Sequence, residues 1–380
     1  MDFSPIKIGG GFSNVKISAF GGGGGGLNYE LAVGDNALCD TTTGVDICIC
    51  ALNETHVVTF GNQNIIQIFE VASDGSSISL VSSVAGPASG PDTEGCALVA
   101  IDSSPTVHHF ALINRNYIYI YETDADYTPI SQKSVLNHHA GSAEYASACL
   151  LDSNHIAAHY KMDAVIDYGY IEVFTWDGNY QNIQELDSIS VTGLPTYCDI
   201  AKLDDTHIVT CYTNSVDGYA KVIEFDGSYQ MTEVSSILFD TTEGRYCGVA
   251  AIDATHYMVA HRGSAVNGIA RTIDTTNPTG VEKDNYAFSN KNTIHCSVAK
   301  IDETHLLVCA AGGVPVEEHN AWILEIDGNY NISALDTIEV FNTNPTFTAQ
   351  SKLVKLTETL YVLASQGPNS DGYIYAITVS

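Results

Sequence analysis

Six histidines of this chain each follow a carboxylate or an amide at a short, recurring spacing. Asp204-Asp205-Thr206-His207, Asp253-Ala254-Thr255-His256 and Asp302-Glu303-Thr304-His305 are the clearest copies. Asn53-Glu54-Thr55-His56 and Asp152-Ser153-Asn154-His155 are looser, and a stretched copy runs from Asp102 to His108. An imidazole beside a carboxylate is the pairing that general base catalysis and metal ligation use. The copies recur about every fifty residues, as structural repeats do. Imidazoles carried by six separate units form a wide ring rather than a cluster, so no metal site is expected from them. The Asp is expected to accept backbone N–H bonds within a tight turn, helped by Thr or Asn, while the imidazole packs and bonds locally. A seventh copy, Thr357-Glu358-Thr359-Leu360, has lost both the Asp and the His.

Other patterns with chemical potential are weak. Asp92, Glu94, Glu144, Glu243, Glu317 and Glu318 could supply a glycosidase pair, but a chain with 45 acidic residues offers such coincidences freely. The Asp-box of sialidase-type propellers is absent. So are a calcium loop, a nucleophile elbow, a phosphate-binding glycine loop and a zinc-like CxxC. Gly21 to Gly26 has no strand and helix around it and does not qualify as a phosphate cradle. No catalytic residue, cofactor or metal ligand is assigned, and the chain reads as a non-enzyme. Among ten cysteines, Cys96, Cys198, Cys247 and Cys296 each lie six residues before the turn Asp, or the residue in its place. Equivalent positions of successive repeats sit too far apart to bridge. Cys198 with Cys211 and Cys296 with Cys309 are marginal pairs, and reduced cysteines acting as small core hydrophobes are expected.

The elements that position these residues are strands. In the clearest unit Cys296 to Asp302 is a first strand, Glu303-Thr304 a tight turn and His305 to Ala310 a second strand. A longer loop leads to a third strand, Ala321 to Ile326. Asp327-Gly328 then signals a hairpin into a fourth, roughly from Asn331 to Phe341. Four strands per unit, with nearly continuous apolar runs in the first two, describe an all-β, seven-bladed β-propeller of four-stranded antiparallel blades. The chain ends after the third strand of the last unit. Leu27 to Leu38 resembles a fourth strand, with Asn28-Tyr29 matching Asn329-Tyr330. An N-terminal strand is therefore expected to complete the C-terminal blade and close the ring. Residues 27–380 form the propeller. Residues 1–26 read as an arm on a polyglycine tether, which is flexible rather than a rigid spacer.

Function is expected on the rim opposite the Asp-His turns, where connections vary most: 86–95, 137–145, 161–167, 213–217, 262–267 and 312–320. Just before the inner strand, at the channel mouth, stand Tyr145, Tyr197, Tyr246 and His295 in successive blades, with Asp46, Gly95 and Gln350 in the others. Arg245 adjoins Tyr246, and His261 and Arg262 end a neighbouring strand. Aromatic rings with a few polar groups around one depression suit ligand binding, a carbohydrate platform being the expectation.

Composition narrows the partners. With 45 acidic and 15 basic residues the net charge is −30, which disfavours nucleic acid and anionic membranes. No run of about 18 apolar residues is present, so no membrane insertion is expected. The N-terminus has no apolar segment of signal-peptide length.

The unit Cys-x-[Val/Ile]-Ala-x-[Ile/Leu]-Asp-x-Thr-His, followed by a third strand such as Gly169-Tyr170-Ile171-Glu172-Val173 or Gly218-Tyr219-Ala220-Lys221-Val222, resembles propeller repeats of bacteriophage virion and tail-fibre proteins. Similar repeats occur in secreted bacterial surface proteins. That resemblance implies a non-enzymatic adhesion or receptor-binding propeller, contacting a host surface glycan or protein through its loop-rich face. It also implies a virion or extracellular location, with residues 1–20 anchoring the ring to other virion or surface-assembly subunits. The alternatives are a glycan-cleaving hydrolase that uses the rim carboxylates, and a structural or decoration protein of a virion.

Overall fold

The structure, a computed structural model, describes residues 29–40, 47–61, 63–87, 95–104, 106–114, 117–138, 142–163, 168–193, 195–264, 267–312, 318–342, 351–366 and 371–380. The first 28 residues, and with them the arm and tether expected at 1–26, lie outside this set. Among the described residues there is no α-helix, and none long and apolar enough to cross a membrane.

The described strands form seven four-stranded sheets. Blades 1 to 6 comprise residues 48–85, 96–137, 142–192, 195–240, 245–289 and 293–342, each with its strands in chain order from the axis outward. Blade 7 takes three strands from the C-terminus, Lys352–Lys355, Leu360–Gln366 and Gly372–Val379. Its outermost strand is Leu31–Asp40, paired antiparallel from Leu31↔Val379 to Asp40↔Gly372. The expected closure is thus observed, and Glu30 and Ser380 lock its end with N–H···O bonds of 2.7 and 3.0 Å.

Burial follows from the blade geometry. The second strand of each blade is covered on both faces by neighbouring blades, so His207–Asn214 and Val107–Asn114 are buried almost throughout. An outer strand has one wet face, and in Ile78–Ala85 only Ile78 is buried. Each fully buried Val, Leu or Ile contributes roughly 1.5–3 kcal/mol of transfer free energy. The joint between blades 2 and 3, where Ala111, Ile113 and Ile120 meet Ile156, Ala158 and Tyr160, is typical. All ten cysteines are free, and nine are buried.

A second device links the blades. The Asp-His turn forms as expected: His256 N–H donates to Asp253 Oδ1 (2.9 Å), Thr255 N–H donates to the same oxygen (2.8 Å), and His256 Nδ1 lies 3.0 Å away. The imidazole is not merely local, however. Tyr330, from the outer turn of the next blade, stacks on it at a ring separation of 3.5 Å and donates its hydroxyl to Asp253 Oδ2 at 2.8 Å. Tyr180 covers His109 (3.5 Å), Tyr229 covers His155 (3.7 Å), Tyr127 covers His56 (3.8 Å) and Tyr29 covers His305 (4.3 Å). Tyr180 and Tyr229 donate to Asp102 and Asp152, and Tyr29 donates to Asp302 at 2.5 Å. Burial works to raise the Asp253 pKa but is outweighed by the Thr255 N–H, the Tyr330 hydroxyl and His256, which together hold it down at about 2. In blade 2 the histidine of the turn is His109, not His108: His109 N–H donates to Asp102 Oδ1 at 3.1 Å. That turn is four residues longer than the others, and the pairing falls one position beyond the expected His108.

Candidate functional site at the channel mouth

The inner strands of blades 3 to 6 begin earlier than expected. Tyr145, Tyr197, Tyr246 and His295 lie inside Ser142–Asp152, Pro195–Lys202, Arg245–Ala251 and Thr293–Lys300 rather than before them. Each opens a β-bulge. In blade 3 the register passes from Glu144↔Lys161 to Ser147↔His159, so Tyr145 and Ala146 together oppose one residue. The same slip occurs at Thr196/Asp199, Arg245/Gly248 and Ile294/Ser297. A bulge of this kind places its first residue in the left-handed region, where glycine is the ordinary occupant. Here the φ angles are +54° for Tyr145, +55° for Tyr197, +57° for Tyr246 and +49° for His295. Blade 2 has Gly95 at this place, with φ +135°, and a Cβ there would meet the Tyr145 backbone nitrogen at 2.1 Å. Blades 3 to 6 instead carry four bulky rings in a conformation that costs about 1–3 kcal/mol each for a non-glycine residue. Asp46 and Gln350, the counterparts in blades 1 and 7, lie outside the described residues.

The bulges aim the rings at one another. Ring centroids are 5.0 Å apart for Tyr145–Tyr197, 4.2 Å for Tyr197–Tyr246 and 4.6 Å for Tyr246–His295, making one continuous arc. Burial, then Tyr246, pushes the Tyr197 hydroxyl pKa far upward, so the phenol stays neutral. Two ion pairs flank the arc. Lys161 Nζ is 2.7 Å from Glu144 and stands over the Tyr145 ring at 5.8 Å. The Arg262 guanidinium is 2.8 Å from Glu243 and stands over the Tyr246 ring at 5.9 Å. The Nε atoms of Arg245 and Arg262 are buried donors with no acceptor among the described residues.

Two residues further along the inner strands of blades 3, 4 and 6 lies a polar layer, Ser147, Asp199 and Ser297, that crosses the channel. Asp199 of blade 4 accepts from Ser147 Oγ (2.8 Å), from the Val249 N–H (2.9 Å) and from Lys352 Nζ of blade 7 (3.2 Å). Ser297 Oγ accepts from the Leu353 N–H at 2.9 Å. Below it the inner strands enclose a cavity of about 540 Å³. These residues escaped the sequence reading because single polar positions inside apolar strands carry no pattern of their own.

The arc unites Tyr145, Tyr197, Tyr246 and His295, with Arg245 and Arg262 at its edge. It does not include His261. That imidazole is fully buried and contacts the Arg262 carbonyl (2.8 Å) and Arg271 Nε (3.0 Å) inside blade 5. Burial brings its pKa down to about 4. His261 follows the alternation of a second strand and points into the blade, not at the rim. The rim loops are also less uniform than expected. The connection of blade 4, read as a variable loop over 213–217, is a tight turn between His207–Asn214 and Asp217–Phe225. Asp92, Glu94 and Glu317 lie outside the described residues, as does the side chain of Glu318. Glu144 and Glu243 are both held in ion pairs. Among the described residues no group of three potential ligands could hold a metal ion. The arrangement can stack on flat groups and offer guanidinium N–H donors, which is recognition chemistry.

No family model matches the chain, and no curated protein matches it. Solved structures do. "Structure of U3-55K" is similar over 91% of this chain and 98% of its own, with a TM-score of 0.61 and 10% identity. "Crystal structure of RRP9 WD40 repeats" covers 92% and 97%, with a TM-score of 0.59 and 10% identity. Those rings share the fold of this chain, a seven-bladed propeller. With 852 solved chains matching, the likeness defines the ring and leaves its activity open.

These findings correct several expectations. The resemblance to bacteriophage virion and bacterial surface proteins is not supported, because the similar rings carry U3-55K and RRP9 titles. An adhesion or receptor-binding role, a host glycan or receptor as ligand, virion subunits as partners of residues 1–20, and a virion or extracellular location are overturned with it. The physical reason is that the repeat residues quoted for the resemblance are those that pack blades and cap turns, and any propeller needs them.

Proposed function

We propose that this protein is a non-catalytic scaffold that holds a segment of a partner protein across the channel mouth. The observation that carries this reading is the arc of four left-handed aromatic residues in blades 3 to 6, where blade 2 has glycine. Blade 2 closes with glycine at the corresponding place, so a strained ring is not needed in every blade, although Tyr145 also packs against the core between blades 3 and 4. Rigid aromatic side chains beside arginine are the composition of interface anchors. The buried Nε donors of Arg245 and Arg262 suit backbone carbonyls of an extended segment. WD40-type rings at similar coverage support a scaffold class.

The test is substitution by the residue blade 2 already uses. A protein carrying Tyr197→Gly and Tyr246→Gly should fold with stability within about 1 kcal/mol of the parent, because relief of strain offsets lost ring contacts. Its affinity for a partner isolated on the parent protein should fall at least tenfold, read by calorimetry. Unchanged affinity would remove the arc from the interface.

A further inference from the structure

Five of the seven blade joints are closed by a tyrosine lying on an Asp-His turn, and the joint between blades 4 and 5 has only half of that device. The receiving half is complete. His207 N–H donates to Asp204 Oδ1 at 2.8 Å, His207 Nδ1 lies 3.0 Å from both carboxylate oxygens, and Thr206 Oγ1 donates to Asp204 Oδ1 at 3.1 Å. The half that supplies the phenol is missing. In blades 3 and 6 the tyrosine sits at φ +60° and +66°, and its N–H donates to the carbonyl three residues earlier at 2.9 Å. The connection of blade 5 is one residue shorter; it ends in Gly280 at φ +63°, with an N–H bond to the Asn277 carbonyl at 2.9 Å, and it lies against Ile237 of blade 4, so no ring is brought to His207. The imidazole is correspondingly more open: the His207 side chain is 26% exposed, against 10% for His256, 12% for His305 and 18% for His155 under their tyrosines.

The joint between blades 7 and 1 shows what a lost device looks like. Gly75, at φ +70°, ends the outer turn of blade 1, and the turn it meets in blade 7 has Thr357 and Leu360 in place of Asp and His. A Cβ on Gly75 would stand 3.1 Å from Thr378 Cγ2, 3.3 Å from Ala376 Cβ and 3.4 Å from Leu360 Cδ1, so the turn lies against blade 7 with no place left for a ring. Receptor and phenol are gone together there. In blade 4 the receptor persists without its phenol.

We propose that Asp204 and His207 form a docking place for a tyrosine side chain of a partner protein. The phenol ring stacks on the His207 imidazole and its hydroxyl donates to Asp204 Oδ2. The five intrachain copies define the occupant's chemistry, with ring separations from 3.5 to 4.3 Å and a hydroxyl that donates to the turn carboxylate or, at Asn53 of blade 1, accepts from the amide Nδ2. Phenylalanine would stack and leave the carboxylate oxygen bare, and an aliphatic side chain would do neither. The site is at the end of the ring opposite the aromatic arc. It shares with the scaffold reading only the premise that the occupant belongs to a protein.

The test uses the full chain with isotope-labelled histidine, the His207 signals being assigned by loss in His207→Asn. N-acetyl-tyrosinamide, N-acetyl-phenylalaninamide and N-acetyl-leucinamide are titrated as probes. The expected result is a saturable ring-current shift of His207 with the tyrosine probe, smaller with phenylalanine and absent with leucine, while the covered His256 does not move. Asp204→Asn should erase the preference for tyrosine over phenylalanine while leaving the stacking shift in place. No saturable shift at His207 up to the solubility of the probe, or an equal shift with leucinamide, would overturn the proposal. Neither outcome touches the arc, whose glycine variants are read at the other rim.

Discussion

Aromatic residues at positive φ occur in two rings of this molecule, and the two have opposite consequences. Tyr330, with φ +66°, closes a joint: it stacks on His256 and donates to Asp253. Tyr330→Phe should cost about 1 kcal/mol, the worth of one hydrogen bond to a charged group in a partly wet place, measured by urea unfolding. Tyr330→Gly should cost about 2–3 kcal/mol through lost burial as well. Tyr246, with φ +57°, belongs to the mouth, and its glycine variant is expected to be nearly neutral. A large loss of stability in Tyr246→Gly would mark it as a plug rather than a contact residue. Acid should act through buried imidazoles first. Burial lowers the His159 and His319 pKa values to about 3 and that of His261 to about 4, from an ordinary 6.5. The unfolded chain binds more protons than the folded one between those values and 6.5, so stability rises with pH across that window. The urea midpoint should therefore start to fall as pH drops below about 6.5, and His261→Asn should flatten that slope. Asp253, with its pKa held at about 2, adds a further loss only as pH falls from about 4 toward 2.

At the scale of elements, the turns and second strands could be read from the sequence because their signals are local. Asp-x-Thr-His marks a turn, and an apolar run without alternation marks a strand covered on both faces. The closing strand was legible through Asn28-Tyr29, whose match to Asn329-Tyr330 is explained by Tyr29 covering His305. The role of the tyrosines that end the Asp-Gly-Asn and Asp-Gly-Ser turns was not legible, although they recur at Tyr180, Tyr229 and Tyr330. Each acts on a residue about 70 positions earlier, and a period alone does not show which neighbour a side chain faces. The mouth tyrosines can be grouped by their common place in the repeat, but their left-handed bulges cannot be read, because only glycine announces that conformation in a sequence. His261 stands next to its strand's end, yet its imidazole turns into the blade, and an apolar run without alternation does not separate the two directions. The closing strand also yields a prediction. Removing residues 1–40 leaves blade 7 with three strands and an open edge beside Gly372–Val379. That truncation should lower the unfolding temperature by more than 10 °C, roughly a loss of several kcal/mol for a domain this large, or convert the protein to aggregates. Removing residues 1–26 alone should leave unfolding unchanged.

The whole molecule is a closed ring with a net charge of −30. Long-range attraction should therefore favour a basic partner, and association should slow as salt rises past about 0.15 M, where screening acts within about 8 Å. The similar solved rings define the architecture and not the ligand, so the partner must be found through the surface that holds it. The measurement that addresses the central claim most directly is site-specific photo-crosslinking from two positions of the full chain. One probe replaces Lys161, beside the Tyr145 ring; the other replaces Leu80, on the wet face of an outer strand and 53% exposed. The expected result is that the probe at the mouth joins one continuous segment of a single partner protein, that the outer-strand probe does not, and that Tyr197→Gly with Tyr246→Gly abolishes the product. Equal crosslinking from both positions, or an undiminished product in the glycine variant, would contradict a scaffold that works through its channel mouth.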